Sequence, residues 1–315
     1  MDPNTQSPTE LPPAIDSHRT LLGVCVGALT GIGFALAGFL LVYNEVNEMG
    51  ATLFLILPFA TGFAIALVTR RVEILVASVV IAVLICTVIL LFTGLEGGVC
   101  VVMSAPLIFV GLVVGSLLGV LVRRVLGEWK GQRIATFLML AVLPFFLAGA
   151  NKVEQSQTSP RAETITNTLV TDVSREKAWE QLKTFDRIEG KKGFLMTIGL
   201  AVPVRCTMSG EGLGATRTCY FEKGHIEERV TEWNPPSSMK FEITTFDVPG
   251  RPWLSFEDAS YDLTTENGHT VITRKTTIVS RLAPAWYWRP LEKIGVETEH
   301  EYLFEEVKRK IEAAK

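Results

Sequence analysis

The sequence is poor in the residues that carry most enzyme chemistry. Only four histidines occur in 315 residues: His18, His225, His269 and His300. None forms an H-x-x-x-H pair or stands near a cysteine at metal-ligand spacing, so no metal centre is expected. No G-x-S-x-G, Walker or GxGxxG motif occurs in the setting its chemistry needs, and no cofactor is expected. The net charge is -3, and no Lys/Arg cluster carries interleaved aromatics, so nucleic acid is not an expected partner.

The first half also lacks charge. Between Leu21 and Ala150, charged residues are confined to the gaps between apolar runs. A bilayer-spanning helix needs about 20 mostly apolar residues. Five runs meet or approach this: Leu21–Tyr43, Ala51–Val68, Ile74–Phe92, Val99–Val122 and Ile134–Ala150. The fifth is short and carries Pro144, and a re-entrant segment is its alternative. Central Asp, Glu, Lys, Arg and His are missing from every run, which argues against pumps, ion-coupled transporters and voltage sensors. The expected layout is a disordered Pro-rich tail over 1–20, a five-span helical domain over 21–150, a linker over 151–162 and a soluble domain over 163–315.

Arg70, Arg71, Arg123, Arg124, Lys130 and Arg133 fall in alternate loops, while Asn44–Gly50 and Thr93–Gly98 hold neither Lys nor Arg. Basic loops stay in the cytoplasm. The expected orientation therefore has the N-terminus inside and Asn151 onward outside, in an inner or cell membrane. It depends on the fifth run crossing. Gly23, Gly27 and Gly31 recur every four residues in the first run, as do Gly111, Gly115 and Gly119 in the fourth. Such ladders let another helix backbone approach. They suit either a packed pair, such as the first helix with the fourth, or a homodimer face; membrane lipids are the remaining expected neighbours.

From Asn151 onward the composition is that of a soluble protein. A strand-like alternation around Ile165, Asn167 and Leu169 leads to "SREKAW", with Ser174 as N-cap and Ala178, Trp179 and Leu182 as the buried stripe. A short helix over Phe185–Glu189 is expected next. Six strands follow from Pro203, separated by turns such as Ser209-Gly210, Lys223-Gly224, Pro235-Pro236 and Asn267-Gly268. The end reads as helix, interrupted near Gly295, with Leu303, Val307 and Ile311 as its apolar stripe. The fold class is thus a five-span helical bundle followed by an α+β domain. In that domain a curved antiparallel sheet is crossed by a long C-terminal helix.

That order of elements resembles the helix-grip fold of the START/Bet v 1-like, polyketide cyclase-like (SRPBCC) superfamily. The local marks are "SREKAW", "GEGLGATRTCYFEKGHIEERVTEWNPP", "TVITRKTTI" and "LAPAWYW". "EGGVCVVMSAP" is similar to a segment of bacterial multi-span proteins that carry such a domain. The resemblance implies a cavity between sheet and C-terminal helix that holds a hydrophobic small molecule or lipid. It implies no common catalytic set.

Arg217 and Glu228 are the polar candidates for that cavity. A two-residue turn at Lys223-Gly224 puts them on one face, diagonal to each other; a three-residue turn puts them on opposite faces. Tyr220, Trp233, Trp286 and Tyr287 supply aromatic surface for the core, the ligand or the cavity mouth. His300 is expected on the helix surface, with a cavity-facing place as the alternative. Cys206 and Cys219 flank "SGEGLG". They meet if Met208 faces Arg217 and miss if Met208 faces Ala215. Few registers satisfy disulfide geometry, so free thiols are the expectation. The leading function is membrane-anchored binding of a hydrophobic or amphipathic small molecule or lipid in an extracytoplasmic helix-grip cavity, without catalysis. A cyclase, dehydratase or hydrolase using Glu228 is one alternative, and a membrane sensor or interaction protein is the other.

Overall fold

The computed structural model describes residues 17–45, 50–93, 97–126, 132–157, 159–248 and 254–313. Most of the N-terminal tail, with Lys130 and most of the Asn44–Gly50 loop, lies outside the described residues.

The first half contains α1 (Ser17–Glu45), a π-helical turn (Thr52–Ile56) that runs into α2 (Leu57–Val68), α3 (Val72–Phe92), α4 (Gly98–Leu126) and α5 (Gln132–Gln157). Four of these, α1, α3, α4 and α5, are long and apolar enough to cross a membrane. The expectation of five is corrected, and the short member is the second run, not the fifth. α2 with its π turn covers only Thr52–Val68, yet it runs from the Glu154 end of the bundle to the Arg123 end, so the chain still changes ends there. It lies among the other helices, with Ala60, Ala64, Ile65 and Ala66 fully buried. The fifth run gains length because Asn151–Gln157 continues the helix, so most of the expected linker is α5 itself. Lys, Glu and Gln are good helix formers, and their polarity masked this continuation. One of them, Glu154, accepts hydrogen bonds from the N–H groups of Ala51 (2.5 Å) and Thr52 (2.9 Å). A carboxylate at a helix start offsets its orphan donors.

Both glycine ladders are covered within the chain. An added Cβ on Gly111, Gly115 or Gly119 would meet Leu55 O at 2.6 Å, Phe59 O at 2.0 Å or Phe63 O at 2.8 Å. α4 therefore lies in parallel register against the π turn and α2. On α1, Gly23 faces Ile74, Gly27 faces Ser78 and Thr69, and Gly31 faces Ile65 and Ala82. The pairs are α1 with α3 and α2, and α4 with α2. Helix one does not meet helix four through its glycines; each ladder faces helices of the same chain.

These contacts also order the bundle's ends. Arg123 Nη1 donates to Ala66 O at 2.8 Å, close to Arg70 and Arg71. The start of α4 and Glu154 lie at the opposite end, where Tyr287 Oη donates to Met103 O at 2.5 Å. The arginines and the second half of the chain thus occupy opposite ends of the bundle.

The second half is a seven-stranded antiparallel sheet in the order β1-β7-β6-β5-β4-β3-β2. Its strands are β1 (Arg161–Thr171), β2 (Pro203–Met208), β3 (Thr216–Phe221), β4 (His225–Asn234), β5 (Ser238–Asp247), β6 (Leu254–Glu266) and β7 (His269–Ser280). Register shifts in β2–β3, β4–β5 and β6–β7 accompany its curl. α6 (Arg175–Lys183) and α7 (Phe194–Thr197) follow β1, and α8 (Ala285–Ala313) closes the concave side. Ser174 caps α6 by accepting from Lys177 N. Leu303, Val307 and Ile311 are buried as the stripe requires, against Trp179, Leu182 and Phe185. This is the helix-grip arrangement.

Two local expectations fail. Phe185–Glu189 forms no helix, because the backbone N and O of Phe185 pair with Cys206 at 2.8 Å each. α8 is not interrupted at Gly295, which is buried inside a continuous helix.

Candidate functional site

The β3–β4 hairpin sets the centre of the site. Its turn is longer than either expected form: Tyr220 faces His225, and Phe221 N donates to Gly224 O at 3.0 Å. Gly224 has φ +84°, and an added Cβ would stand 1.8 Å from Asp247 O. Only glycine fits there. The longer turn moves the register by two, so Arg217 and Glu228 are directly opposed rather than diagonal. Their side chains pair at 3.3 Å, and both are buried.

The register of β2 on β3 is a separate count. Met208 faces Arg217, and Cys206 therefore faces Cys219. Their Cα atoms are 4.1 Å apart and the two are joined in a disulfide, which corrects the expectation of free thiols. Both sulfurs lie on the inner wall beside Arg217.

A second charged pair crosses the cavity. Arg274 on β7 meets Glu299 on α8 at 2.9 Å. Burial works against the charge of Arg274, but nearby Glu299, Tyr261 and Glu228 outweigh it and raise its pKa. For Glu228, burial is the largest influence and exceeds the pull of Arg217 and Arg274, so its carboxyl is pushed above the usual range. Arg217 lies over the Phe241 ring at 4.8 Å, and Arg274 lies over Tyr261 at 5.5 Å. Among the described residues, Arg217 Nε, Arg274 Nε and Nη1, and Tyr261 Oη have no hydrogen-bond partner despite being buried.

His300 is fully buried, not on the helix surface. Nδ1 donates to Asn167 Oδ1 at 2.7 Å, and Nε2 accepts from Thr276 Oγ1 at 2.8 Å. Burial, helped by Arg274, lowers its pKa to about 2. It is therefore a neutral, doubly bonded group behind the cavity wall.

The aromatic candidates are placed less favourably. Tyr220 is on the outer face, under the Arg205 guanidinium at 4.2 Å. Trp233 packs edge-on against Trp179 at 5.1 Å. Trp286 is 73% exposed. Tyr287 is held by Met103 of α4. None of these four lines the cavity, whereas Trp288, tilted against Phe54 at 4.8 Å between ring centres, does. Of the six candidates, Arg217 and Glu228 are brought together there.

Together with a space between the first-half helices that continues from it, the cavity has a volume of about 1040 Å³, lined almost wholly by apolar atoms. Sequence reasoning missed Arg274, Glu299 and Tyr261. The signal for Arg274 is period two: Thr270, Ile272, Arg274, Thr276, Ile278 and Ser280 are all buried, so an arginine shares the inward face with two isoleucines. The signal for Glu299 is helical: it stands four residues before Leu303, on the apolar stripe.

No family model matches the chain, and no curated protein matches it. Solved structures align with about half of it. Norcoclaurine synthase from Thalictrum flavum, in complex with dopamine and hydroxybenzaldehyde, is 13% identical over 52% of this chain and 92% of its own, at a TM-score of 0.34. The Zhui aromatase/cyclase from Streptomyces sp. R1128 is 13% identical over 48% and 94%, at 0.34. Protein Ms6760 from Mycobacterium smegmatis is 16% identical over 50% and 99%, at 0.34.

Proposed function

We propose that the chain is a membrane-anchored binding protein. Its helix-grip domain holds a hydrophobic or amphipathic small molecule outside the cytoplasm. One observation carries this reading: an apolar-walled cavity that holds two buried Arg–Glu pairs. Small-molecule sites are apolar cavities with a few placed polar groups. Four spanning-length helices support the anchor. The arginines at the bundle end remote from the domain support the orientation, since basic ends stay in the cytoplasm. The Cys206–Cys219 disulfide supports an oxidising compartment.

Native mass spectrometry of the full chain, released from its own membrane in mild detergent, tests the reading. A discrete added mass, lost on delipidation and regained on incubation with the extract, is expected. Protein that is always bare would overturn it. The raised pKa of Glu228 favours a second reading, in which it acts as a general acid on the bound molecule. Turnover of that molecule, abolished by Glu228→Gln with binding retained, would select it.

A further inference from the structure

The cavity does not end at the soluble half. Below Trp288 and Leu291 it continues past Met103 into a groove between α3 and α4, floored by α2. α3 and α4 hardly touch each other. The groove follows α3 from Val72 to Leu90, roughly 28 Å at 1.5 Å per residue. That approaches the ~30 Å thickness of a bilayer's hydrocarbon core. Its walls are open to the surroundings: Val76, Val80 and Leu84 are 50–60% exposed, and Phe109 and Leu117 are each 67% exposed.

An apolar groove on a spanning bundle is ordinary lipid-facing surface. Two features set this one apart. It leads without interruption into a buried cavity, and the inner end of that cavity holds buried donors without acceptors: Arg217 Nε, Arg274 Nε and Nη1, and Tyr261 Oη. A buried unsatisfied polar group is destabilising, and more so when charged. The carboxylates of Glu228 and Glu299 line the same space, yet each occupies only part of its arginine. The missing partners are oxygen acceptors, and an anionic oxygen pair suits a guanidinium best.

Resting on the binding reading above, we infer that the cavity takes a single-chain anionic amphiphile directly from the bilayer. Its oxygen head sits at Arg217 and Arg274, and its chain lies in the α3–α4 groove. The head is drawn up into the domain while the chain stays in contact with lipid. The burial that keeps Glu228 inclined to protonation leaves the inner end with a positive surplus to meet the head. Each stage of entry then trades one apolar surrounding for another, so the chain need not cross water.

The test uses the full protein in phosphatidylcholine vesicles. The probe is palmitate carrying a photoreactive diazirine beside the carboxyl, compared with its methyl ester. Labelling of sheet peptides containing Arg217, Glu228 or Arg274 is expected with the acid, and at least about tenfold less with the ester, as loss of a charge-assisted hydrogen bond implies. Arg274→Gln should reduce labelling by the acid and spare that by the ester. Ala105→Trp, which fills the groove wall, should block labelling from vesicles yet leave labelling by a water-delivered octanoate analogue intact; that retained labelling also reports a folded domain. Unchanged labelling from vesicles in Ala105→Trp would sink the membrane route and leave the binding reading standing. Equal labelling by acid and ester would sink the anionic head. If no probe reaches the sheet although native mass spectrometry finds another bound molecule, this ligand class falls alone. If neither is seen, the binding reading falls with it.

Discussion

Thr276 and His300 are joined across the concave wall by a 2.8 Å hydrogen bond from Oγ1 to Nε2. It fixes the imidazole as a neutral tautomer, because Nδ1 already donates to Asn167. The folded pKa is about 2, below the ordinary 6.5. The unfolded chain therefore takes up a proton first as pH falls. This contribution to stability is complete above about pH 6.5 and declines below it by about 1.4 kcal/mol per pH unit. Urea unfolding at pH 7.5, 6 and 5 should show that decline in the wild type and a flatter profile in His300→Gln. Identical slopes in both proteins would show that His300 titrates normally.

Glu228 has the opposite sign. Its folded pKa is raised, chiefly by burial. The folded state holds its proton more tightly than the unfolded state, so stability is fullest below about pH 4.5 and is lost as pH rises through the folded value. Glu228→Gln keeps an acceptor for Arg217 and removes the titration. Its stability should exceed that of the wild type at pH 8 and approach it at pH 5. A loss of about 3 kcal/mol or more at pH 8 would instead mark Glu228 as an ionised partner that Arg217 needs.

The Cys206–Cys219 bond closes a separation of 13 residues. Replacing both with alanine should cost about 2–4 kcal/mol. Alkylation without reduction, followed by peptide mass spectrometry, should return the two cysteines as one linked peptide and Cys25, Cys86 and Cys100 as alkylated thiols. Full alkylation of all five would remove the bond and the hairpin register it reports.

Gly115 has the closest backbone approach of the α4 ladder, with Phe59 O 2.0 Å from an added Cβ. Gly115→Ala must push α4 from α2, an overpacking cost of about 1–3 kcal/mol. A lower melting temperature in detergent is expected. Gly33→Ala, with nothing within 4 Å of its added Cβ, is the control and should be neutral or better. Equal behaviour of the two variants would contradict the α2–α4 packing.

A reporter enzyme fused after Lys315 should be active only outside the cytoplasm, and one joined after Arg71 only inside. The reverse pattern would invert the proposed orientation while leaving the fold intact.

Much of the fold was legible because period and punctuation agreed. The β5, β6 and β7 alternations and the Leu303, Val307 and Ile311 stripe each repeat at the spacing of their element. What stayed hidden depended on counting across turns and on distant partners. The four-residue turn Phe221–Gly224 exceeds what Lys223-Gly224 suggests, and its register is what makes Arg217 meet Glu228; a separate register across the 209–215 connection makes Cys206 meet Cys219. The polar end of α5 read as a linker because its carboxylate partner site, the start of the π turn, is 102 residues away. Tyr220 and Trp233 sit near the cavity in sequence but face elsewhere, since one residue along a strand reverses the side chain.

The end of α5 has a mechanical consequence. A twelve-residue flexible tether would let a domain wander about 20 Å from its anchor. Here helix runs to Gln157 and the first strand starts at Arg161, so the joint spans three residues, roughly 10 Å even when fully extended. The domain is therefore a headpiece on a short stalk rather than a ball on a string. Under the proposed membrane anchor, a joint this short holds the domain at a nearly fixed height over the helices, so a partner would have to come to it.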